Sequence, residues 1–242
     1  MTVPPAPSTD APTAEPRRPI VDPRAVPVAG TDAHLPAVTA ERLAAAALRE
    51  RFALPPPWVA DTHGDGGLFE GYSRTAASVL VPLVERQGGV TVLLTQRTAH
   101  LRSHAGHVAF PGGQADEADD GPVDTALRET EEEVGISRSH VEVIGQLPLY
   151  RTVTNFDVTP VVALLRPDFT LHLDTFEVAE AFEVPLQFLM TPAHHRRHVF
   201  ESAGHRREFL SMPYPRPGGQ GDYFIWGATA AMLRNLYRLL AA

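Results

Sequence analysis

Glu129, Glu132 and Glu133 stand at i, i+3 and i+4, a spacing that puts three carboxylates on one stripe of a helix. Like charges at that spacing repel and weaken an isolated helix. A hard divalent cation with oxygen ligands removes the penalty. The commonplace alternative is a solvated acidic face, which is the better reading of most Glu-rich helices. Two features set this stretch apart. Arg128 lies four residues before Glu132 and can brace it by an i, i+4 ion pair. Ahead of the helix an apolar strand runs into a turn at Gly112-Gly113, which supplies a fixed loop–helix frame.

The helix that carries these groups is legible from its ends. Pro122 suits the first turn, where its missing N–H costs nothing. Gly135 suits the end, where a left-handed residue is needed. Between them Val123, Ala126, Leu127, Thr130 and Val134 fall on one side at helical spacing. Around this helix the chain reads as strands, helix, strands, helix. Apolar runs at 77–84 and 90–95 flank Gln87-Gly88-Gly89 and predict a hairpin. Residues 108–110, 141–147, 158–165, 176–184 and 223–226 read as strands, with 158–165 central because it holds few charges. Residues 199–200 and 209–212 read as an outer hairpin, 185–190 as a short helix and 227–240 as a last helix. Such an order suits a mixed sheet between helices. Thr39 begins an earlier helix, with Leu43, Ala47 and Leu48 on a common side. Residues 1–36 are rich in Pro, Ala and Thr and are expected to form a disordered tail. Residues 37–67 are expected to be a helix and linker, and 68–242 one globular domain.

The chain has 242 residues, 43% hydrophobic and 21% charged, an ordinary globular balance. It has no cysteine, which excludes disulfides, thiolate zinc sites and cysteine nucleophiles. A formal charge of -8 argues against a large nucleic-acid surface, and so against RNA decapping, but admits a small nucleotide carried with a metal ion. No apolar run is long enough for a membrane span, and no signal pattern opens the chain, so a cytoplasmic protein is the expectation. A homodimer stays open as its assembly.

Arg128, Glu129, Thr130, Glu132, Glu133, Gly135 and Ile136 resemble the second half of the Nudix box, G-x5-E-x7-R-E-U-x-E-E-x-G-U with U apolar. Counting back, the first Glu of the box falls on Asp120, with Asp119 beside it. Its opening Gly falls on Gln114, one residue after Gly113, and Thr130 replaces an apolar residue. The resemblance spans about 70–242. It implies an α/β/α sandwich with a mixed sheet and a catalytic loop–helix–loop, and hydrolysis of nucleoside diphosphates linked to another moiety. It also implies a catalytic group of Arg128, Glu129, Glu132 and Glu133. Glu129 and Glu133 are expected to bind Mg²⁺ or Mn²⁺ directly, and Glu132 directly or through water. The Gly113 backbone, Asp119 and Asp120 are further metal candidates, and Arg128 is structural. Glu177 and Glu180 are candidates for a distant general base.

Upstream, Leu93, Leu94, Thr95, Ala99, Arg102, Gly106, Phe110, Pro111, Gly112 and Gly113 resemble the additional signature of Nudix hydrolases of the coenzyme A pyrophosphatase type. His107 departs from the Gln often found there. The resemblance implies cleavage of coenzyme A, or a derivative, to 3',5'-ADP and 4'-phosphopantetheine. Arg97, Arg102, His100, His104 and His107 also cluster in this short stretch of an acidic chain. Arg offers a bidentate fit to phosphate that Lys lacks. Arg97, Arg102, His104, His107, Phe110 and Gly112 are therefore the expected substrate contacts. The plainer reading is that Arg97 and Arg102 neutralise the acidic helix. Two other functions compete: another Nudix activity such as ADP-ribose hydrolysis, and a non-catalytic nucleotide sensor, which would need fewer of the box carboxylates.

Overall fold

The computed structural model describes residues 20, 22–65, 73–101, 105–202 and 205–242. In chain order its strands are β1 (Val28–Thr31), β2 (Thr75–Arg86), β3 (Gly89–Arg97), β4 (Val108–Ala109), β5 (Gly112–Gln114), β6 (Val141–Gln146), β7 (Tyr150–Arg151), β8 (Phe156–Leu165), β9 (Val178–Pro185), β10 (Arg196–Ser202), β11 (His205–Pro215) and β12 (Asp222–Trp226). The α-helices are α1 (Ala45–Ala53), α2 (Pro122–Val134), α3 (Leu186–Leu189) and α4 (Gly227–Ala241). Strands β2 to β9 make the main sheet; β1, β10, β11 and β12 make a second one. None of the described helices is long and apolar enough to cross a membrane.

Alternation along the central strands decides the layers. Leu80 and Val84 of β2, with Val161, Ala163 and Leu165 of β8, pack on Ala126 and Val134 of α2. Val81 and Leu83, with Val162 and Leu164, join a second core with Leu48 of α1 and Leu233, Leu236 and Leu240 of α4. Each Val or Leu among them contributes about 1.5–3 kcal/mol on burial. The main sheet is thus covered on both faces, as the α/β/α expectation required. It is mixed: β2 runs parallel to β8 and antiparallel to β3 and β5.

The β2–β3 hairpin pairs only between Leu83–Arg86 and Gly89–Val92. Beyond that the strands part. β4 then pairs with β3 at Thr95 and Gln96, and β5 with β2 from Ala77 to Val79. Residues 108–114 therefore fill the wedge between the two strands. Sequence reading places a turn at Gly112-Gly113; the structure makes them a strand. Gly112 has φ 150°, and a Cβ there would lie 2.4 Å from the Ser78 carbonyl oxygen, so only glycine lets the chain enter this wedge.

The expected disordered tail to residue 36 needs correction from Asp22 onward. Pro23–Ala25 forms a 3-10 turn, and β1 pairs antiparallel with β10. All four β1 residues are exposed, so its backbone pairing holds it and its composition gives no apolar signal. Most of the earlier tail, and the expected boundary at 67 and 68, lie outside the described residues.

Behind β1 sits a buried charge cluster. His195, fully buried, donates from Nε2 to the Leu189 carbonyl at 2.7 Å and accepts at Nδ1 from Arg234 Nη1 at 3.1 Å. Burial, with Arg234 beside it, lowers its pKa to about 4. The native state therefore resists protonation that the unfolded chain accepts from pH 6.5 downward. The stabilisation is complete above pH 6.5 and is lost as pH falls toward 4, about 3 kcal/mol in all. Urea titrations from pH 7 to 4.5 should show a shallower pH slope for His195→Gln than for the wild type. Equal slopes would remove His195 from the acid response.

Candidate active site

Helix α2 begins at Pro122 and is capped after Val134 by Gly135, which is left-handed at φ 73°. Thr130, in an apolar position, is buried because its hydroxyl donates to the Ala126 carbonyl at 2.6 Å. The helix lies on the wedge of residues 108–114. There Glu133 is nearly closed from solvent, its side chain 7% exposed. Its Oε2 accepts the Gly112 N–H at 3.2 Å, and its Oε1 faces Arg97 Nη1 at 3.4 Å. Burial raises its pKa to about 7, opposed by Gly112 and Arg97 and reinforced by Glu177 and Glu129. Glu129 is also raised, first by burial, with Glu132 and Glu177 adding repulsion. A Cβ on Gly113 would lie 2.4 Å from Glu129 Oε2, so glycine is what admits that carboxylate.

Arg128 ties the loop to the helix. Its Nε and Nη2 donate to Asp119 Oδ1 and Oδ2 at 2.8 and 2.9 Å. Nη1 donates to Glu129 at 2.9 Å and Glu132 at 3.1 Å, and Nη2 also reaches the Gln114 carbonyl at 3.1 Å. Asp119 further accepts from the Thr125 hydroxyl and the Asp116 N–H, and Arg128 holds its pKa well below the usual carboxylate range.

The family model of the NUDIX domain matches residues 74–202, which include both the wedge and the acidic helix. The chain belongs to the Nudix family. An Escherichia fergusonii protein named "Uncharacterized Nudix hydrolase NudL" is 44% identical over 169 residues, covering 69% of this chain and 83% of that one. Among solved structures, a C. elegans Ap4A hydrolase binary complex is 24% identical with TM-score 0.40, covering 49% of this chain and 85% of that chain. The Nudix domain of Shewanella oneidensis NrtR, solved with ADP ribose, is 21% identical with TM-score 0.38, covering 48% and 75%.

Nudix hydrolases generally use divalent metal ions. The donor set here fits such an ion chemically: two desolvated carboxylates with raised pKa and a third, Glu177, whose charge reaches both. Among the described residues no three acidic or histidine side chains are already gathered as a cage. Their oxygens face guanidinium groups instead.

The expected Nudix residues divide by position. Glu129 and Glu133 converge on the wedge, with Gly112 and Gly113 against them. Glu132 points outward, its side chain 60% exposed, and meets Arg128. Asp120 is exposed and only its N–H is engaged, by Asp124 at 3.2 Å. Asp119, not Asp120, is the acid that grips Arg128, since the longer loop moves the bracing position back by one. Its oxygens accept from Arg128, Thr125 and Asp116, so here it braces the loop against the helix. Arg97 enters the pocket. Arg102 and His104 lie outside the described residues. His107 packs its ring edge-on to Trp226 at 5.1 Å, and Phe110 is buried in the core.

The two base candidates part company. Glu177 Oε2 faces Arg97 Nη2 at 3.3 Å, held near by Thr98, whose N–H donates to the Glu177 carbonyl at 2.9 Å. Glu180 lies on the other face of the sheet, paired with Arg216 at 2.8 Å and with the Tyr223 hydroxyl.

Proposed function

We propose that the chain hydrolyses the pyrophosphate bond of coenzyme A, or of its derivatives, to 3',5'-ADP and 4'-phosphopantetheine or the acyl form of the latter. The observation that carries this reading is where the described residues of the 93–113 segment lie. Arg97 and Gly112, both within the stretch that resembles the coenzyme A pyrophosphatase signature, reach Glu133. A small nucleotide handled in the cytoplasm is part of the same reading.

Water attacks one phosphorus, the bridging P–O bond breaks, and the second phosphate leaves with that oxygen. Glu129 and Glu133 would hold a divalent cation, Mg²⁺ or Mn²⁺, beside the Gly113 backbone. Such an ion neutralises phosphoryl charge and lowers the pKa of bound water. Glu177, its side chain 42% exposed, has room to take a proton from the attacking water. Arg128 and Asp119 keep the helix and loop in register.

The test is a panel of coenzyme A, dephospho-coenzyme A and ADP-ribose with Mg²⁺ or Mn²⁺, with products identified by mass. Coenzyme A should exceed dephospho-coenzyme A in kcat/KM by about ten- to a hundredfold, the worth of one charge-assisted contact to the 3'-phosphate. ADP-ribose turning over faster than coenzyme A would overturn the branch assignment and leave the Nudix chemistry standing.

A further inference from the structure

We propose that Arg97 is the resident cation of the acidic pocket: it bridges Glu133 and Glu177 in the metal-free protein, yields that place to a divalent cation, and is thereby freed to hold a substrate phosphate. The inference rests on the metal-dependent Nudix reading above and adds to it an order of events, metal before phosphate.

Two arginines reach the carboxylates, and they are held differently. Arg128 meets Asp119 at 2.8 and 2.9 Å, the usual length of a charge-assisted bond, through a two-pronged contact. Arg97 meets Glu133 and Glu177 at 3.4 and 3.3 Å, with one nitrogen on each. The first is a lock and the second a loose bridge between two acids on different elements. Arg128 is committed to Asp119, Glu129 and Glu132, so Arg97 is the guanidinium left to Glu133 and Glu177. A single guanidinium between the two carboxylates Glu133 and Glu177 leaves that pair with excess negative charge.

The backbone under Arg97 is fixed while its side chain has room. Its N–H donates to the His107 carbonyl at 2.9 Å, and its carbonyl accepts from Gly106 N–H at 3.2 Å. Gln96 pairs with Glu180 and Arg97 with Val178, so β9 carries one extra residue here. Bulges of this kind re-aim a side chain next to a functional site. The Arg97 side chain is 23% exposed, so it can leave the carboxylates without entering the core. Once displaced, its planar fork matches two oxygens of a phosphate.

Mn²⁺ titration of the full chain without nucleotide, by calorimetry or by electron paramagnetic resonance of free Mn²⁺, tests the exchange. Arg97→Gln should bind Mn²⁺ about five- to tenfold more tightly than wild type, because the ion no longer competes with a tethered cation. Its metal-free Tm should fall, and saturating Mn²⁺ should close most of that gap. Arg97→Lys keeps the charge and should stay near the wild-type affinity. If Arg97→Gln binds Mn²⁺ no more tightly and its Tm deficit persists at saturation, Arg97 is only a brace and the proposal fails while the metal site stands. If wild type shows no Mn²⁺ binding that Glu133→Gln abolishes, the metal reading itself fails and takes this proposal with it.

Discussion

Glu133→Gln should lower turnover at saturating Mg²⁺ by about a thousandfold, the scale on which removing one central electrostatic contact acts in a water-poor site. The argument combines three properties of the residue. It faces the wedge, its side chain is 7% exposed, and its nearest donors are Gly112 and Arg97. Gln keeps an oxygen for the Gly112 N–H and removes the charge a cation needs. The substitution should not cost stability at pH 8. Burial has raised the carboxyl pKa to about 7, so the ionised form is the strained one once pH rises past that value. Steady-state rates and a melting curve at pH 8 check both halves. A rate within tenfold of wild type would take Glu133 out of the reaction centre.

How far the site could be read from sequence follows from what each part depends on. Helix α2 was legible to the residue, because Pro122 and Gly135 are local signals and fix its ends. The apolar stripe and the i, i+4 pair of Glu129 and Glu133 followed from those ends. Glu177 could be named only alongside Glu180. Its place depends on β9 pairing with β3, and no local pattern links residues about eighty apart. Asp119 was named only beside Asp120, as a further metal candidate: the shifted opening Gly shows a longer loop, but counting does not tell which of the two acids turns toward Arg128. In the wedge, Gly112-Gly113 reads as a turn by composition, whereas packing against Ser78 makes it a strand. The second sheet was half visible. Its β10–β11 hairpin showed in the apolar pattern, but β1 is exposed and rests on backbone bonds.

Asp32→Ala should lower stability by about 3–5 kcal/mol, the cost of stripping one partner from a buried ion pair. For a chain of this size that is a fall in Tm of about 10 °C. Asp32 and Arg234 are each 2% exposed. Asp32 takes Arg197 Nε at 2.6 Å and Nη2 at 3.0 Å, and Arg234 Nη1 at 3.1 Å. Its own N–H donates to the His195 carbonyl at 3.2 Å. Removing the carboxylate leaves Arg234 in the core with Asp61 at 2.8 Å and the neutral ring of His195. The loss is one of pairing rather than of apolar burial. Replacing both members by apolar residues of similar size, Asp32→Leu with Arg234→Met, should therefore recover much of it. The cluster joins the N-terminal segment to α4 and β10, away from the acidic helix, so kcat per folded molecule should stay near wild type. Deleting residues 1–36 should reproduce the stability loss of Asp32→Ala, since it removes the same carboxylate together with β1. A deletion that leaves Tm within about 2 °C of the full chain would show that the segment from Asp22 contributes nothing to the fold.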